Sequence, residues 1–411
     1  MSYKIIVLII LTLLWAYEML LHAVQARSVR NPVPENVKDV YDADTYARWR
    51  QYHGEKNRLS LLTSTASWII SMLLMGLNVY AAFAGLFPDT LFMRMFAVLL
   101  LATVSDLLLI PFNYYDTMRI EEKYGFNRSS KKTFWLDRVK EFVIGLVLNT
   151  IMAGLLLWIH QACGDLVIVI FAAVMILLML GISFLLPVFT KIFNKFRPLE
   201  EGELRDSLTA LLTKHGYTVR AINVMDASRR TTKSNAYIAG FGKMKTIVLY
   251  DNLVEAMTPE EICAVFAHEL GHGLHKDTLK SAALSSARML LLAVLAWLTL
   301  RTTGIYPAFG FDCVNYGFAF VLIMSVEFAL LSPLSGLIAN AFSRRMEYRA
   351  DRQAVTEGYG EALVSALKKL ARENFSNLAP SPLLVKLEYS HPPLNDRIDA
   401  IRNAMAKGKR G

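Results

Sequence analysis

"TPEEICAVFAHELGHGLHKD", residues 258–277, has a helix start written into it. Thr258 supplies an N-cap, Pro259 suits the first helical position, and Glu261 completes a capping box. A four-residue spacing then sets His268 and His272 on one helical face, about 6 Å apart along the axis. Glu269 lies about 100° around the helix from His268. Two imidazoles so placed can hold one metal ion, and the glutamate beside them can take a proton from a water that the ion activates. Zinc suits such donors and lowers the pKa of bound water to about 7. Two histidines merely packed at a helix interface would need neither the capping nor the polar flanks.

A catalytic zinc takes three protein ligands and keeps one position open. The pattern HExxHxxGxxH would need glycine at 275 and histidine at 278, where this chain has His275 and Thr278. His275 lies one turn beyond His272, and three points on one straight helix cannot converge on one ion. It is expected behind the ligands or at the surface. The remaining route is a carboxylate from another helix. Glu347, in "RRMEYRAD" (344–351), is the candidate, with Asp351 four residues on and on the same face. Asp351 could accept the second ring N–H of a ligand histidine and fix its tautomer. A solvated, charged helix end would show the same spacing.

Outward from this helix the chain is mostly apolar. Of its 411 residues 54% are hydrophobic and 19% charged, against about 25% charged in soluble domains. Seven segments reach the length of a membrane-crossing helix, near 5–24, 61–87, 91–112, 142–160, 166–189, 282–300 and 316–342. Only helices satisfy their own backbone in lipid, so these segments are expected to be helical spans. Lys4, an apolar run and "VQA" before Arg27 also resemble a cleavable signal peptide, but the run is longer than such segments usually carry. Cys163, Cys263 and Cys313 are scattered and form no CxxC pair, so no disulfide framework is expected.

The net charge of +9 does not point to nucleic acid, because its distribution follows the spans. Loop 25–60 carries Arg27, Arg30, Lys38, Arg48, Arg50, Lys56 and Arg58, and loop 113–141 is similarly basic, whereas the intervening connections offer only Arg301. The positive-inside rule therefore sets 25–60, 113–141, 190–281 and the C-terminus in the cytoplasm. The expected organisation is spans one to five in 1–189, a polar block 190–281 ending in the HELGH helix, spans six and seven in 282–342, and a polar C-terminal block 343–411. Within 190–281, "INVMD" and "AYIAGFGKMKTIVLYD" read as short strands joined by a turn.

Taken together, "HELGH", "EYRAD" and "SHPPLNDRI" resemble the zinc-dependent integral-membrane CAAX prenyl proteases. "IEEKYGFNRSS", "NKFRPLEEGELRDSL" and "SNAYIAGFGKMKTIVLYDNLV" agree, in order and over nearly the whole chain. The resemblance implies one zinc ion per chain on His268, His272 and Glu347, with Glu269 as general base. It implies that Asp351 orients a ligand, that His391 assists the oxyanion and that Arg397 braces the site. Asn235, Ala236 and Tyr237 would pair with the substrate backbone as an added strand.

The fold class expected is a predominantly α, seven-helix transmembrane bundle enclosing a chamber, with a cytoplasmic gluzincin-like α+β protease domain. The implied chamber would account for the ionisable residues inside the spans, Glu18, Arg94, Asp106, Arg288 and Glu327, although inter-helix pairing is the simpler reading for some. The expected partners are a peptide or protein substrate, prenylated in the leading reading, and membrane lipid, with no nucleic acid and a monomeric chain. The expected location is the endoplasmic reticulum membrane or a bacterial inner membrane. Two other readings fit the same residues less fully: a quality-control protease for misfolded membrane proteins, and a transporter or lipid-binding protein with a degenerate metal site.

Overall fold

A computed structural model of the chain describes residues 2–229, 235–239 and 244–408. The architecture is mostly helical. The first half runs α1 (Tyr3–Ser28), α2 (Ala43–Gly76), α3 (Val79–Ala84), α4 (Leu91–Asp106), α5 (Ile110–Tyr115), α6 (Lys131–Cys163) and α7 (Val167–Phe193). A mixed sheet and its helices follow: β1 (Phe196–Pro198), α8 (Glu203–Lys214), β2 (Thr218–Met225), β3 (Ala236–Ala239), β4 (Met244–Tyr250), α9 (Asp251–Ala256) and α10 (Pro259–Leu274). The chain then re-enters long apolar helices through α11 (Asp277–Arg301), α12 (Ile305–Ala308), α13 (Tyr316–Leu322) and α14 (Phe328–Thr356). It closes with α15 (Gly360–Glu373), α16 (Pro382–Glu388) and α17 (Leu394–Gly408).

Six helical stretches among the described residues are long and apolar enough to cross a membrane: Tyr3–Ser28, Ala43–Gly76, Leu91–Glu121, Lys131–Met179, Asp277–Arg301 and Tyr316–Thr356. The fourth is interrupted at Gly164, whose φ of 55° ends α6 before α7 begins. Several helices outrun their apolar runs. α2 starts at Ala43, where the Asp42 side chain accepts from the Thr45 N–H at 2.7 Å, and α14 continues through the charged "SRRMEYRADRQ" to Thr356. α1 packs into the bundle: Trp15 stacks on Trp68 at 4.7 Å, and Lys4 Nζ donates to Asn78 Oδ1 at 2.6 Å.

Two cores divide the molecule. One fills the membrane bundle, with Met95, Leu99, Leu156, Ile159, Tyr306 and Phe318 at its centre. The other lies beside the sheet and joins Phe266 and Leu270 of α10 to Trp49 and Tyr52 of α2 and to Ile398 of α17. The basic loops therefore do not hang free. Phe375, in the left-handed region at φ 48°, turns its carbonyl toward Trp49 Nε1 (3.0 Å) and His53 Nε2 (2.7 Å), which ties α2 to the turn after α15.

The sheet order is β1-β2-β4-β3, with β2 and β4 parallel and β3 antiparallel to β4. Side chains alternate along a strand. Ile222, Val224, Ile247 and Leu249 thus face the α10 core, while Met225 and Val248 cover the other face together with Tyr237.

The five intramembrane ionisable residues have unlike surroundings. A cavity of about 320 Å³ between α2, α4, α6 and the α13–α14 region is lined by Asp106 but by none of the other four. Arg94 pairs with Asp89 at 3.1 Å, Thr299 donates to Glu327, and Arg288 lies 4.1 Å over the Phe328 ring. These contacts leave Arg94 Nε, Arg288 Nε and Nη2, and Glu327 Oε2 buried without a hydrogen bond.

Candidate metal centre

The site exists because two helices cross closely. A Cβ on Gly271 would stand 2.8 Å from Ala350 Cα, closer than side chains approach backbone, so this crossing of α10 on α14 requires glycine. Ala350 and Ala354 are fully buried in the contact. The helix start is the one read from sequence: Thr258 Oγ1 accepts from the Glu261 N–H at 3.3 Å, and Glu261 Oε2 accepts from the Thr258 N–H at 2.8 Å. With both helices fixed, His268 and His272 on α10 face Glu347 on α14.

These three side chains can bring one ligand atom each within 4.8 Å of one another. His268 Nε2 lies 3.5 Å from Glu347 Oε2, and His272 Nε2 lies 3.4 Å from Glu347 Oε1. The other ring nitrogens face carboxylates: His268 Nδ1 is 2.9 Å from Asp351 Oδ1, and His272 Nδ1 is 3.1 Å from Asp277 Oδ2. Each imidazole therefore donates through Nδ1 and turns an Nε2 lone pair toward Glu347, the arrangement that metal-binding histidines adopt.

Glu347 is 4% exposed, and its Oε2 is buried without a hydrogen bond. His391 Nδ1 comes within 2.8 Å of that oxygen, but without hydrogen-bond geometry. A buried carboxylate oxygen that accepts no hydrogen bond is costly, and a metal ion bound there would satisfy it. Two imidazole nitrogens and one carboxylate fit a three-ligand metal site with a fourth position for water.

The field of the site points the same way. Burial disfavours charge on His272, yet hydrogen bonding and charge from Glu347, with Asp277 and Glu269 adding to them, raise its pKa to about 9. A dication satisfies that field without the proton. Arg397 of α17 grips Asp351 with both arms, Nε to Oδ2 at 3.0 Å and Nη2 to Oδ1 at 2.7 Å. Burial disfavours its charge, but Asp351 and then Glu347 outweigh this, so the guanidinium pKa is raised. It also stands 3.5 Å from Glu347 Oε2.

Glu269 is half-buried, and its carboxylate has no hydrogen bond or ion pair among the described residues. His391 stands in the loop after α16, 63% exposed at its side chain. That loop is held on α14 by Arg344 Nη1, which donates to the carbonyls of Val385 (2.8 Å) and Tyr389 (2.7 Å). Asn235, Ala236 and Tyr237 are not part of the cluster. They lie at and on β3, the edge strand of the described sheet, where the Asn235 carbonyl accepts from the Tyr250 N–H at 3.1 Å. The rest of the "SNAYIAGFGKMK" block, at 234 and 240–243, falls outside the described residues. His275 caps the end of α10 outside the cluster.

One functional residue was not read from the sequence. Asp277 holds His272 as Asp351 holds His268, and it is 3% exposed. It reaches there because Lys276, at φ 55°, turns the chain left-handed between α10 and α11. Arg349 Nη2 donates to Asp277 Oδ1 at 2.7 Å, which ties this turn to the helix bearing Glu347. A turn-forming glycine or asparagine could have signalled the reversal, but a lysine stands there.

An HExxH helix facing a glutamate from a second helix, set against a bundle of membrane-length helices, defines a membrane metallopeptidase. Comparison with known proteins narrows the class. Residues 198–405 match the model of peptidase family M48, and residues 22–195 match the model described as CAAX prenyl protease N-terminal, five membrane helices. The chain belongs to peptidase family M48.

Among its relatives, "Probable CAAX prenyl protease 1" of Schizosaccharomyces pombe is 34% identical over 302 residues, covering 73% of this chain and 64% of that protein. "CAAX prenyl protease 1 homolog" of Oryza sativa is 30% identical over 421 residues, covering 98% and 97%. The crystal structure of S. mikatae Ste24p superposes with a TM-score of 0.89 at 26% identity, over 98% of this chain and 99% of that one.

Proposed function

We propose that this chain is a zinc metalloendopeptidase that cleaves peptide bonds near the C-terminus of prenylated CAAX proteins. The observation that carries the reading is the convergence of His268, His272 and Glu347, with a buried Glu347 oxygen that accepts no hydrogen bond. The names of its relatives support the substrate class. Counting α6 and α7 separately gives seven spans, with the polar blocks 190–281 and 343–411 forming the protease domain between and after them. The packing of basic loops 25–60 and 113–141 onto the α10 core favours one side, the cytoplasmic one, for all of these segments.

In this reading His268 and His272 through Nε2, and Glu347 through its carboxylate, hold the zinc. The bound ion would polarise the scissile carbonyl and bring a water's pKa close to neutrality. Glu269 takes the proton of the attacking water and passes it to the leaving amine nitrogen. His391, with Nδ1 turned to Glu347, stands beside the ligand set where its ring can assist the developing oxyanion. Asp351 and Asp277 keep both ligand imidazoles in the tautomer with a free Nε2, and Arg397 keeps Asp351 ionised. The backbone of Asn235, Ala236 and Tyr237, at the sheet edge, aligns the peptide.

The test is an assay of the purified chain on a farnesylated CAAX peptide beside its unprenylated twin. Cleavage of the farnesylated peptide, abolished by a zinc chelator and restored by zinc, supports the reading. Equal cleavage of both peptides overturns the substrate assignment.

A further inference from the structure

α14 has a second working face. Glu347 and Asp351 turn toward the metal centre, while Phe342, Arg345, Arg349 and Arg352 follow one another at spacings of three and four on the opposite side. That face meets the start of α11 across a notch of about 530 Å³ that also includes Lys280. Four cations line it, and two of them meet the buried Asp277 carboxylate, Arg349 at 2.7 Å and Lys280 at 3.5 Å. Arg345 and Arg352 are exposed and have no acidic partner among the described residues. Arg349 Nε is buried without a hydrogen bond.

The position of the notch decides what its occupant is. The apolar part of α14 ends just before Arg344 and that of α11 begins just after Lys280, so the cations stand where two candidate membrane helices leave the apolar layer. Phe342 (48% exposed) flanks them on the apolar side of the notch. An apolar side chain below and unpaired guanidiniums above match a lipid's acyl chain below and its phosphate above. Arginine, with its planar fork of donors, selects phosphate in particular. In a zwitterionic lipid the headgroup's own ammonium offsets that phosphate, so a net anionic headgroup is favoured.

We infer that the notch between α11 and α14 binds the phosphate-bearing headgroup of an anionic phospholipid at the membrane surface. The site is separate from the proteolytic one and does not depend on the substrate proposed above. It stands behind the helix that carries Glu347, so its occupant braces that helix from the membrane side.

The full chain, delipidated and reconstituted in phosphatidylcholine nanodiscs with or without a minor fraction of phosphatidylinositol, tests the inference by native mass spectrometry and thermal midpoint. Phosphatidylinositol is expected to remain bound and to raise the midpoint, while inorganic phosphate does neither. The double substitution Arg345→Gln with Arg352→Gln is expected to weaken lipid binding about thirtyfold, the worth of two interfacial basic residues near an anionic surface. Metal content and activity in phosphatidylcholine alone should stay as they were. Undiminished lipid binding in the double variant overturns the site. Protection by inorganic phosphate equal to the lipid's overturns the lipid as occupant. If the double variant loses metal as well, Arg345→Lys with Arg352→Lys decides the matter: retained lipid binding supports the site, and lost binding overturns it.

Discussion

The metal centre has two arms of one design in unlike surroundings. In the first, His268 leans on Asp351 and Asp351 on Arg397, with side chains 8%, 1% and 11% exposed. In the second, His272 leans on Asp277 and Asp277 on Arg349, with side chains 23%, 4% and 32% exposed. The first arm joins three elements distant in sequence. The second is closed within one turn, His272 and Asp277 being five positions apart in sequence. Hydrogen bonds in a low-dielectric interior are stronger and costlier to break, so the first arm should govern metal retention and the second should tune it.

The largest effects should come from residues that both arms serve. Glu269→Gln should keep its metal, because both arms are intact, and lose about 10³-fold or more in turnover, from the roles of base catalysis and water activation. Metal analysis beside peptide kinetics checks this, and full activity would remove Glu269 from the mechanism. Glu347→Ala should empty the site of metal, whereas His275→Ala should leave it full. The opposite pattern would mean that neither arm has been identified correctly.

Next come the arms themselves. Substitutions behind metal-binding histidines usually weaken metal affinity or activity by about 10–100-fold. Asp351→Asn should fall toward the upper end, because it also leaves the buried Arg397 guanidinium without its charge partner. Asp277→Asn should fall toward the lower end, since Arg349 and Lys280 reach water. Chelator competition on the purified variants gives both constants. Equal losses would show that burial does not distinguish the arms.

The contrast also marks what could be read in advance. The α10 face was legible because helical periodicity is local: two histidines four apart share a face wherever the helix goes. Glu347 and Asp351 were legible only as a candidate pair, since spacing does not reveal what a second helix faces. Asp277 was not legible at all. Its role depends on a left-handed lysine at 276, a conformation that no side-chain pattern there announces. Hydropathy marked apolar runs rather than helices: α2 and α14 continue well past theirs, and the run 61–87 is broken at Asn78, whose φ is 58°. The core shared by Trp49, Tyr52 and Phe266 escaped for the same reason, as long-range packing of aromatic residues in polar segments leaves no local period.

The smallest predicted effect isolates the arms from the helix that bears them. Glu261, in the first turn of α10, is nearly buried and touches neither arm. Its Oε2 accepts from Lys369 Nζ at 2.6 Å and from the Thr258 N–H, and its Oε1 accepts from Ser365 Oγ at 2.6 Å. Burial works against the charge, but Lys369, then Ser365 and the Thr258 N–H, outweigh it and hold the pKa below the ordinary 4.5. A carboxylate with a lowered folded-state pKa stabilises fully above its unfolded value and loses that contribution as the pH falls through the folded one. Glu261→Gln should therefore cost about 1 kcal/mol at neutral pH, the usual worth of such a capping and hydrogen-bonding group. The difference from the parent chain should shrink as the pH drops below 4.5. Thermal midpoints across that range, with metal affinity measured on the same samples, provide the check. A pH-independent difference would remove the charge from the account. A matching loss of metal affinity would show that the start of α10 and the two arms are mechanically one unit.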